Sequence, residues 1–362
     1  MKIHIPANRF FSAILCFVVI LVTACSTTTI TESVVTPTYA TELTLYNWID
    51  YLPQSVMDAF TEEYGIAINY VYYETQEEAI QNIRARKNYD LVVLPPELIP
   101  GLYNEGYLAP IDYSNVLNFK NVSPNFRDLA FDPGNKYSIP FHWGTTGILY
   151  RKDLVHKEIT SWSDLWDPEF EGKVGIWPIP RSVIPITLKS LGYPANSEEP
   201  AHLQAALEKM LELRKKSFLV SNVNSSIVPI LAEGEAVIGY GWAYDALTIE
   251  DAPITYIIPA EGSILWSDHF VIPATSTNKR TAELFLDFLL RPEISGKIIN
   301  ESYYPMANDA AIPFISPEII NNPIIYPPNE VLENSEITLS LSPEGLKLYE
   351  NIWQQFMDAK PE

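Results

Sequence analysis

Apolar and polar positions alternate at Leu43-Thr44-Leu45-Tyr46, a period of two that predicts a strand ahead of the turn signal at Pro53. Val56, Met57, Phe60 and Tyr64 then recur at helical spacing, and Gly65 closes that helix. Ile66–Tyr73 predicts a second strand, Glu77–Arg86 a helix, and Asp90-Leu91-Val92-Val93-Leu94 a short buried strand. Strands and helices alternating at this spacing imply βαβ units and a parallel sheet. The pattern returns further along. Val174–Ile176 reads as a strand, and Leu203, Ala206, Leu207, Met210 and Leu211 line one face of a helix from about Ala201 to Lys216. Ala236–Tyr240, Ile254–Ile258 and Asp268–Ile272 read as strands, and a helix from about Thr281 to Leu290 stops before Pro292. The stretch after about Pro313 is proline-rich and irregular until a last helix, Pro343–Met357. No internal repeat is present.

The N-terminus departs from this pattern. Lys2 and Arg9 precede an apolar run, Phe10 to Thr23, of roughly fourteen residues. That is short for a bilayer span, which needs about 20 residues. The run ends at Leu21-Val22-Thr23-Ala24-Cys25, which resembles the lipobox of bacterial lipoproteins. The resemblance implies cleavage before Cys25 and acylation of its thiol; an ordinary secretory signal or a membrane anchor is the alternative. Residues 1–24 are thus expected to be a leader. Residues 25–40, rich in Thr and Ser, are expected to tether lipid to a folded body.

Length suggests two domains, and 47% hydrophobic residues supply an ordinary core. Loss of Lys2 and Arg9 with the leader leaves 22 basic against 45 acidic residues, a net charge of −23. That disfavours nucleic acid and anionic membrane surfaces as partners and suits a cationic ligand. Cys16 leaves with the leader, so the body holds no thiol and no internal disulfide. Thiol catalysis and thiolate metal sites are excluded. There is no G-x-S-x-G, H-E-x-x-H or P-loop, and Tyr244 interrupts a glycine fingerprint begun by Gly239 and Gly241. The body's histidines, His142, His156, His202 and His269, have no metal-ligand spacing, and only His269, beside Asp268, stands in a suggestive place. No enzyme activity, metal or cofactor is expected.

Chemistry concentrates in three short segments, each expected in a loop after a strand: Trp48-Ile49-Asp50-Tyr51, Trp242-Ala243-Tyr244-Asp245 and Trp266-Ser267-Asp268. Ligands of open α/β sheets bind beyond the carboxyl ends of strands. Aromatic faces attract ammonium groups and carboxylates pair with them. Three such units brought together would cage an organic cation; each alone is also what a packing Trp and a solvated or capping Asp look like.

From Leu43 to Tyr326 the chain resembles the spermidine/putrescine-binding proteins that serve polyamine ABC importers. The resemblance rests on Tyr46-Asn47-Trp48-Ile49-Asp50-Tyr51, Tyr89-Asp90-Leu91-Val92-Val93, Tyr137 to Thr145, Ser161-Trp162-Ser163-Asp164-Leu165-Trp166, Glu233-Gly234-Glu235, Trp266-Ser267-Asp268, Phe288-Leu289-Leu290-Arg291-Pro292 and Tyr304-Pro305. It implies an α/β, two-lobed type II periplasmic-binding fold with a hinge between discontinuous lobes: 41–145 plus 268–311, and 146–267 plus 312–362. It also implies a monomer outside the cytoplasm, partnered by a permease and ATPase. Among the residues, the family's pattern makes Trp48, Tyr51, Trp242 and Trp266 aromatic walls, Asp268 the central amine anchor, Asp50 and Asp245 carboxylates typical of putrescine-type members, and Tyr304 a hydroxyl-bearing wall.

The departures carry as much information. Two second-lobe carboxylates of spermidine-type members are replaced by Ile179 and Ser182, a Ser and a Tyr of the first lobe by Pro95 and Glu97, a hydroxyl by Ile49, and a glutamine by Thr338. An ammonium buried without a counter-charge costs several kcal/mol. A short diamine is therefore expected over a triamine unless Glu97 takes over. A different small amine or amino-acid-like solute, or an amine sensor without transport, is the alternative.

Overall fold

The computed structural model describes residues 38–219, 226–247 and 253–360; Cys25, the leader and most of the tether lie outside them. The chain from Tyr39 onward forms one compact unit. The last tether residues already belong to it, since the Ala40 N–H donates to Thr281 Oγ1 at 2.9 Å.

Eleven strands occur among the described residues: β1 Glu42–Trp48, β2 Ala67–Tyr73, β3 Leu91–Leu94, β4 Leu108–Ala109, β5 Ser138–Arg151, β6 Val174–Ile176, β7 Ser217–Leu219, β8 Ile238–Trp242, β9 Ile254–Ile257, β10 Ile264–Pro273 and β11 Glu336–Ile337. The main path runs β2-β1-β3-β10-β5-β8-β6-β7. At one end β1, β2 and β3 are parallel; at the other β6, β7 and β8 are parallel. The central pair, β10 and β5, is antiparallel and joins the two ends. The helices that matter here are α1 (Gln54–Tyr64), which ends at Gly65 in the left-handed region (φ 70°), and α2 (Gln76–Arg84), capped by the Thr75 side chain. With them are α3 (Pro180–Ser190), α4 (Pro200–Lys216), α5 (Ala243–Leu247), α6 (Lys279–Leu289), α7 (Pro292–Ser302) and α8 (Pro343–Asp358).

Burial divides the sheet between two lobes. Leu43, Leu45, Phe60, Leu91, Phe270, Phe285 and Phe288 sit in one core. Ile148, Trp162, Ile176, Leu207, Met210, Ile238 and Phe356 sit in another. The same two strands feed both: Ile139 and Phe141 of β5 enter the first core, and Ile148 and Leu149 enter the second. Beyond residue 312 the chain packs on both cores: Ile315, Ile319 and Ile325 lie in the first, while Ile324 and Leu341 pack against the second, which Tyr349, Ile352 and Phe356 enter. Apolar side chains close enough to finish the first core hold the proline-rich stretch to it.

Candidate functional site

The parallel strands of both ends aim their carboxyl termini at the middle of the β5–β10 pair. In the first lobe, Leu45 and Tyr46 of β1 lie level with Leu91 and Val92 of β3, and Leu94 of β3 lies beside His269. Trp48 and the Pro95-Pro96-Glu97 turn therefore emerge next to Asp268. In the second lobe β6 and β8 are parallel and in register at Val174–Ile238, so Trp177 and Trp242 leave the sheet together; their rings meet edge-on at 5.3 Å.

The Trp266-Ser267-Asp268 segment is not in a loop: the strand read at Asp268–Ile272 extends back to Ile264, and Asp268 lies inside β10, where the register against β5 slips between Ser267 and His269. Phe141 and His142 together oppose the single residue Asp268, a bulge of the kind that re-aims a side chain beside a site. Asp268 is buried, and Tyr51 Oη donates to its Oδ2 at 2.7 Å. Burial, and after it the nearby Glu97 charge, push the Asp268 carboxyl up to about 7, while Tyr51 and Trp48, by hydrogen bonding, pull the other way. Glu97 is raised as well, by burial, against the opposing pull of a backbone hydrogen bond and of the Arg181 charge. Ser267 Oγ and His269 Nε2 are 3.0 Å apart on the opposite face of β10, and burial holds the imidazole neutral, down to about 3. Alternation along the strand thus separates Asp268 from the Ser267–His269 pair, and the suggestive sequence Ser-Asp-His builds no relay.

The aromatic walls are fixed by their own neighbours. Asn47 Oδ1 accepts from the Trp48 N–H at 2.8 Å and turns the chain out of β1. The Trp48 carbonyl accepts from Tyr70 Oη, and its ring packs on Tyr73 at 4.4 Å. Tyr304 meets Tyr51 at 5.0 Å, Trp266 at 5.9 Å, and stacks on Tyr244 of α5 at 4.3 Å. Trp143, Gly144, Tyr244, Trp266, Tyr304 and Pro305 line a shallow apolar recess there.

Trp266 can lie flat because its cross-strand neighbour is Gly144: a Cβ at that glycine would stand 2.3 Å from the indole. Gly144→Ala is expected to displace Trp266, lower stability by about 1–3 kcal/mol as overpacking does, and weaken ligand binding. Thermal unfolding with and without ligand reads both effects; an unchanged ligand-induced rise in Tm would take Trp266 out of the site.

The other expected residues are placed differently. Asp50 is exposed, in the left-handed region at φ 53°, which Asp tolerates better than most residues. It takes no part in the Tyr51–Asp268 hydrogen bond. Asp245 is buried, but its Oδ2 accepts from the Trp242 N–H at 2.9 Å, so the carboxylate serves the β8–α5 turn. Ile179 and Ser182, both half-buried, open α3.

Two contributors were missed. His142 bridges the Tyr51 carbonyl (3.2 Å, Nε2) and the Pro305 carbonyl (3.3 Å, Nδ1), tying the two tyrosine-bearing segments together. Burial drives its pKa down to about 3, so the neutral ring has one N–H for two acceptors. Trp177 follows an expected strand, and nothing but that position signalled it.

Residues 55–327 match the family described as bacterial extracellular solute-binding protein. The spermidine/putrescine-binding periplasmic protein of Escherichia coli K12 is 36% identical over 299 residues, 81% of this chain and 85% of that protein. The putrescine/agmatine-binding protein of Pseudomonas aeruginosa is 31% identical over 316 residues, 81% of this chain and 85% of that protein. Among solved structures, the spermidine/putrescine ABC transporter substrate-binding protein PotD of Streptococcus pneumoniae superposes with a TM-score of 0.80 at 29% identity, covering 88% of this chain and 99% of that one. With its two lobes joined by β5 and β10 and this likeness over most of its length, the chain belongs to the bacterial extracellular solute-binding proteins.

Proposed function

We propose that this protein is a polyamine receptor that holds a putrescine-like diamine between its lobes and delivers it to an ABC importer, anchored to a membrane through lipid on Cys25 and acting as a monomer. The observation that carries the reading is the buried carboxylate of Asp268, bonded to Tyr51 and set among Trp48, Trp266 and Tyr304. A desolvated carboxylate against aromatic faces suits an ammonium ion: the charge pair strengthens as water leaves, and the rings cover the methylenes. Glu97 adds a second carboxylate near Asp268 from the first lobe. The second lobe contributes Trp242 and Trp177 and, at Ile179 and Ser182, no carboxylate. That asymmetry favours a short diamine over a triamine that would carry a further ammonium to the second lobe. The names of the similar proteins from Escherichia coli and Pseudomonas aeruginosa support the ligand class.

The test is thermal shift on the chain from Tyr39 onward with putrescine, cadaverine, agmatine, spermidine, spermine and γ-aminobutyrate, and with neutral sugars as controls. Ligand at about a thousand times Kd adds about 4 kcal/mol, a Tm rise of roughly 5 °C in a chain of this length. A rise largest with a diamine supports the reading. Spermidine or spermine outperforming putrescine removes the diamine preference, and a flat response to every amine removes the ligand class.

A further inference from the structure

The segment 334–341 runs along the second lobe and is bound to it by polar groups at nearly every step. Lys189 of α3, itself buried, donates to the Asn334 carbonyl at 2.7 Å and pairs with Glu336 Oε1 at 2.9 Å. Glu336 Oε2 accepts from the Ala195 N–H at 2.9 Å. The Asn196 amide serves the next residues from both its ends: Nδ2 donates to the Ile337 carbonyl and Oδ1 accepts from the Leu339 N–H, each at 2.9 Å. Arg181 donates to the Leu339 carbonyl. α3 and Ala195 belong to the second core, so the backbone of this segment is tied to that lobe. Its side chains reach the other one. Ile337 packs against the first core, and Leu339 packs against the cluster of Tyr73, Leu94 and Ile99, built on the strands of the first lobe. Ser340 Oγ donates to the Pro96 carbonyl at 3.3 Å, and Leu341 turns back to the second core. Pro96 lies in the turn after β3, whose Leu94 pairs with His269 beside Asp268. A segment clamped to one lobe through its backbone therefore rests on the other through Leu339 and Ser340, at the turn that flanks the site.

We infer that the segment 334–341 is a latch between the lobes: Leu339 and Ser340 hold the ligand-free protein closed against the Pro95-Pro96-Glu97 turn, so that the cleft is assembled before a ligand arrives. When the lobes part, the bonds to Lys189, Ala195 and Asn196 stay and the apolar contact of Leu339 and the Ser340 bond are lost. Apparent affinity is the intrinsic affinity scaled by the fraction of protein in the competent state. A latch that raises this fraction strengthens every ligand of the closed cleft by one common factor, whereas a residue that touches ligand changes the ratios between ligands. The inference rests on the reading that ligand binds between the lobes, and not on which amine it is.

The experiment measures the distance between the lobes and the affinity in the same proteins. The chain from Tyr39 onward contains no cysteine, so Glu62→Cys on α1 and Glu208→Cys on α4, both exposed, place one spin label on each lobe. Pulsed dipolar spectroscopy then reads their separation. In Leu339→Ala the ligand-free separation should lengthen relative to the doubly labelled parent, and saturating putrescine should restore it. Calorimetry should show putrescine and agmatine weakened by the same factor, at least about fourfold, which is what burial of one methylene is worth. Ser340→Ala should act in the same direction by about twofold, and it answers the question should Leu339→Ala not fold. A ligand-free separation unmoved in the folded variants overturns the inference. Affinities that change by different factors for the two amines, with the separation unmoved, also overturn it, since Leu339 would then touch the ligand. Should the parent bind no amine, the ligand reading fails, while the ligand-free separations still decide the latch.

Discussion

Asp268→Asn is expected to weaken diamine binding on the order of a hundredfold. Removing one member of a buried, hydrogen-bonded charge pair costs about 2–5 kcal/mol, because the remaining charge stays desolvated without a partner. Here the remaining charge would be the ligand's ammonium, closed in by Trp48, Trp266 and Tyr304 and left beside Tyr51 Oη without the carboxylate that Tyr51 now holds. The variant should fold. At pH 8 the ligand-free form should be more stable than the wild type, since a carboxylate that burial penalises has been replaced by a neutral amide of nearly the same shape. Calorimetry and thermal unfolding of the same two proteins read both effects. Equal dissociation constants in the two would remove Asp268 from the site.

A second large effect is the pH dependence of binding. The Asp268 carboxyl titrates at about 7, raised first by burial and then by Glu97. An alkylammonium stays protonated throughout this range and binds the carboxylate form. Affinity should therefore rise about tenfold between pH 6 and pH 8 and level off above that. The ligand-free protein runs the other way. The unfolded chain ionises Asp268 near pH 4 and the folded chain only near 7, so the folded state binds more protons between those values. The stability contributed by the protonated carboxyl is complete below about pH 4 and is lost as pH rises through 7, by roughly 4 kcal/mol at most. The groups that set this balance are Tyr51, Trp48, Tyr73 and Tyr304 around Asp268, with the Glu97 charge, itself opposed by Arg181. Asp268→Asn should flatten both profiles. A wild-type dissociation constant that does not vary from pH 6 to pH 8 would contradict a carboxyl titrating there.

Much of this was legible along the chain, and the gaps have physical causes. α1, α2, α4 and α8 follow their apolar periods closely because each buries one face, and β1, β2 and β3 were legible as short alternating or continuous apolar runs. β5 escaped notice. Eleven of its fourteen residues are buried, all but Trp143, Tyr150 and Arg151, so no alternation marks it; Pro140, Gly144 and Gly147 further mask the strand signal. α7 was hidden by Pro292, read only as the stop of the helix before it, whereas proline at a first helical position also starts one. At the site, the Trp48 and Trp242 segments end strands as expected. The Trp266-Ser267-Asp268 segment required knowledge of the bulge against Phe141-His142, a pairing between residues over a hundred positions apart that local patterning does not encode. Asp50 and Asp245 illustrate the converse: each has a local backbone reason to be an aspartate, a left-handed turn in one case and the Trp242 N–H in the other.

The β5–β10 ladder also has a mechanical consequence. The lobes are joined through continuous hydrogen-bonded strands, with β11 adding a third tie at Ile264–Leu265. Relative motion of the lobes must then spread as a small twist over many residues, as in a torsion bar, and no backbone hydrogen bond has to break at a pivot. Such a joint stores little energy per degree and returns without a high barrier. Residence time should accordingly follow the contacts made to the ligand, so that variants in β5 or β10 away from the cleft change the amplitude of lobe motion more than the rate of release.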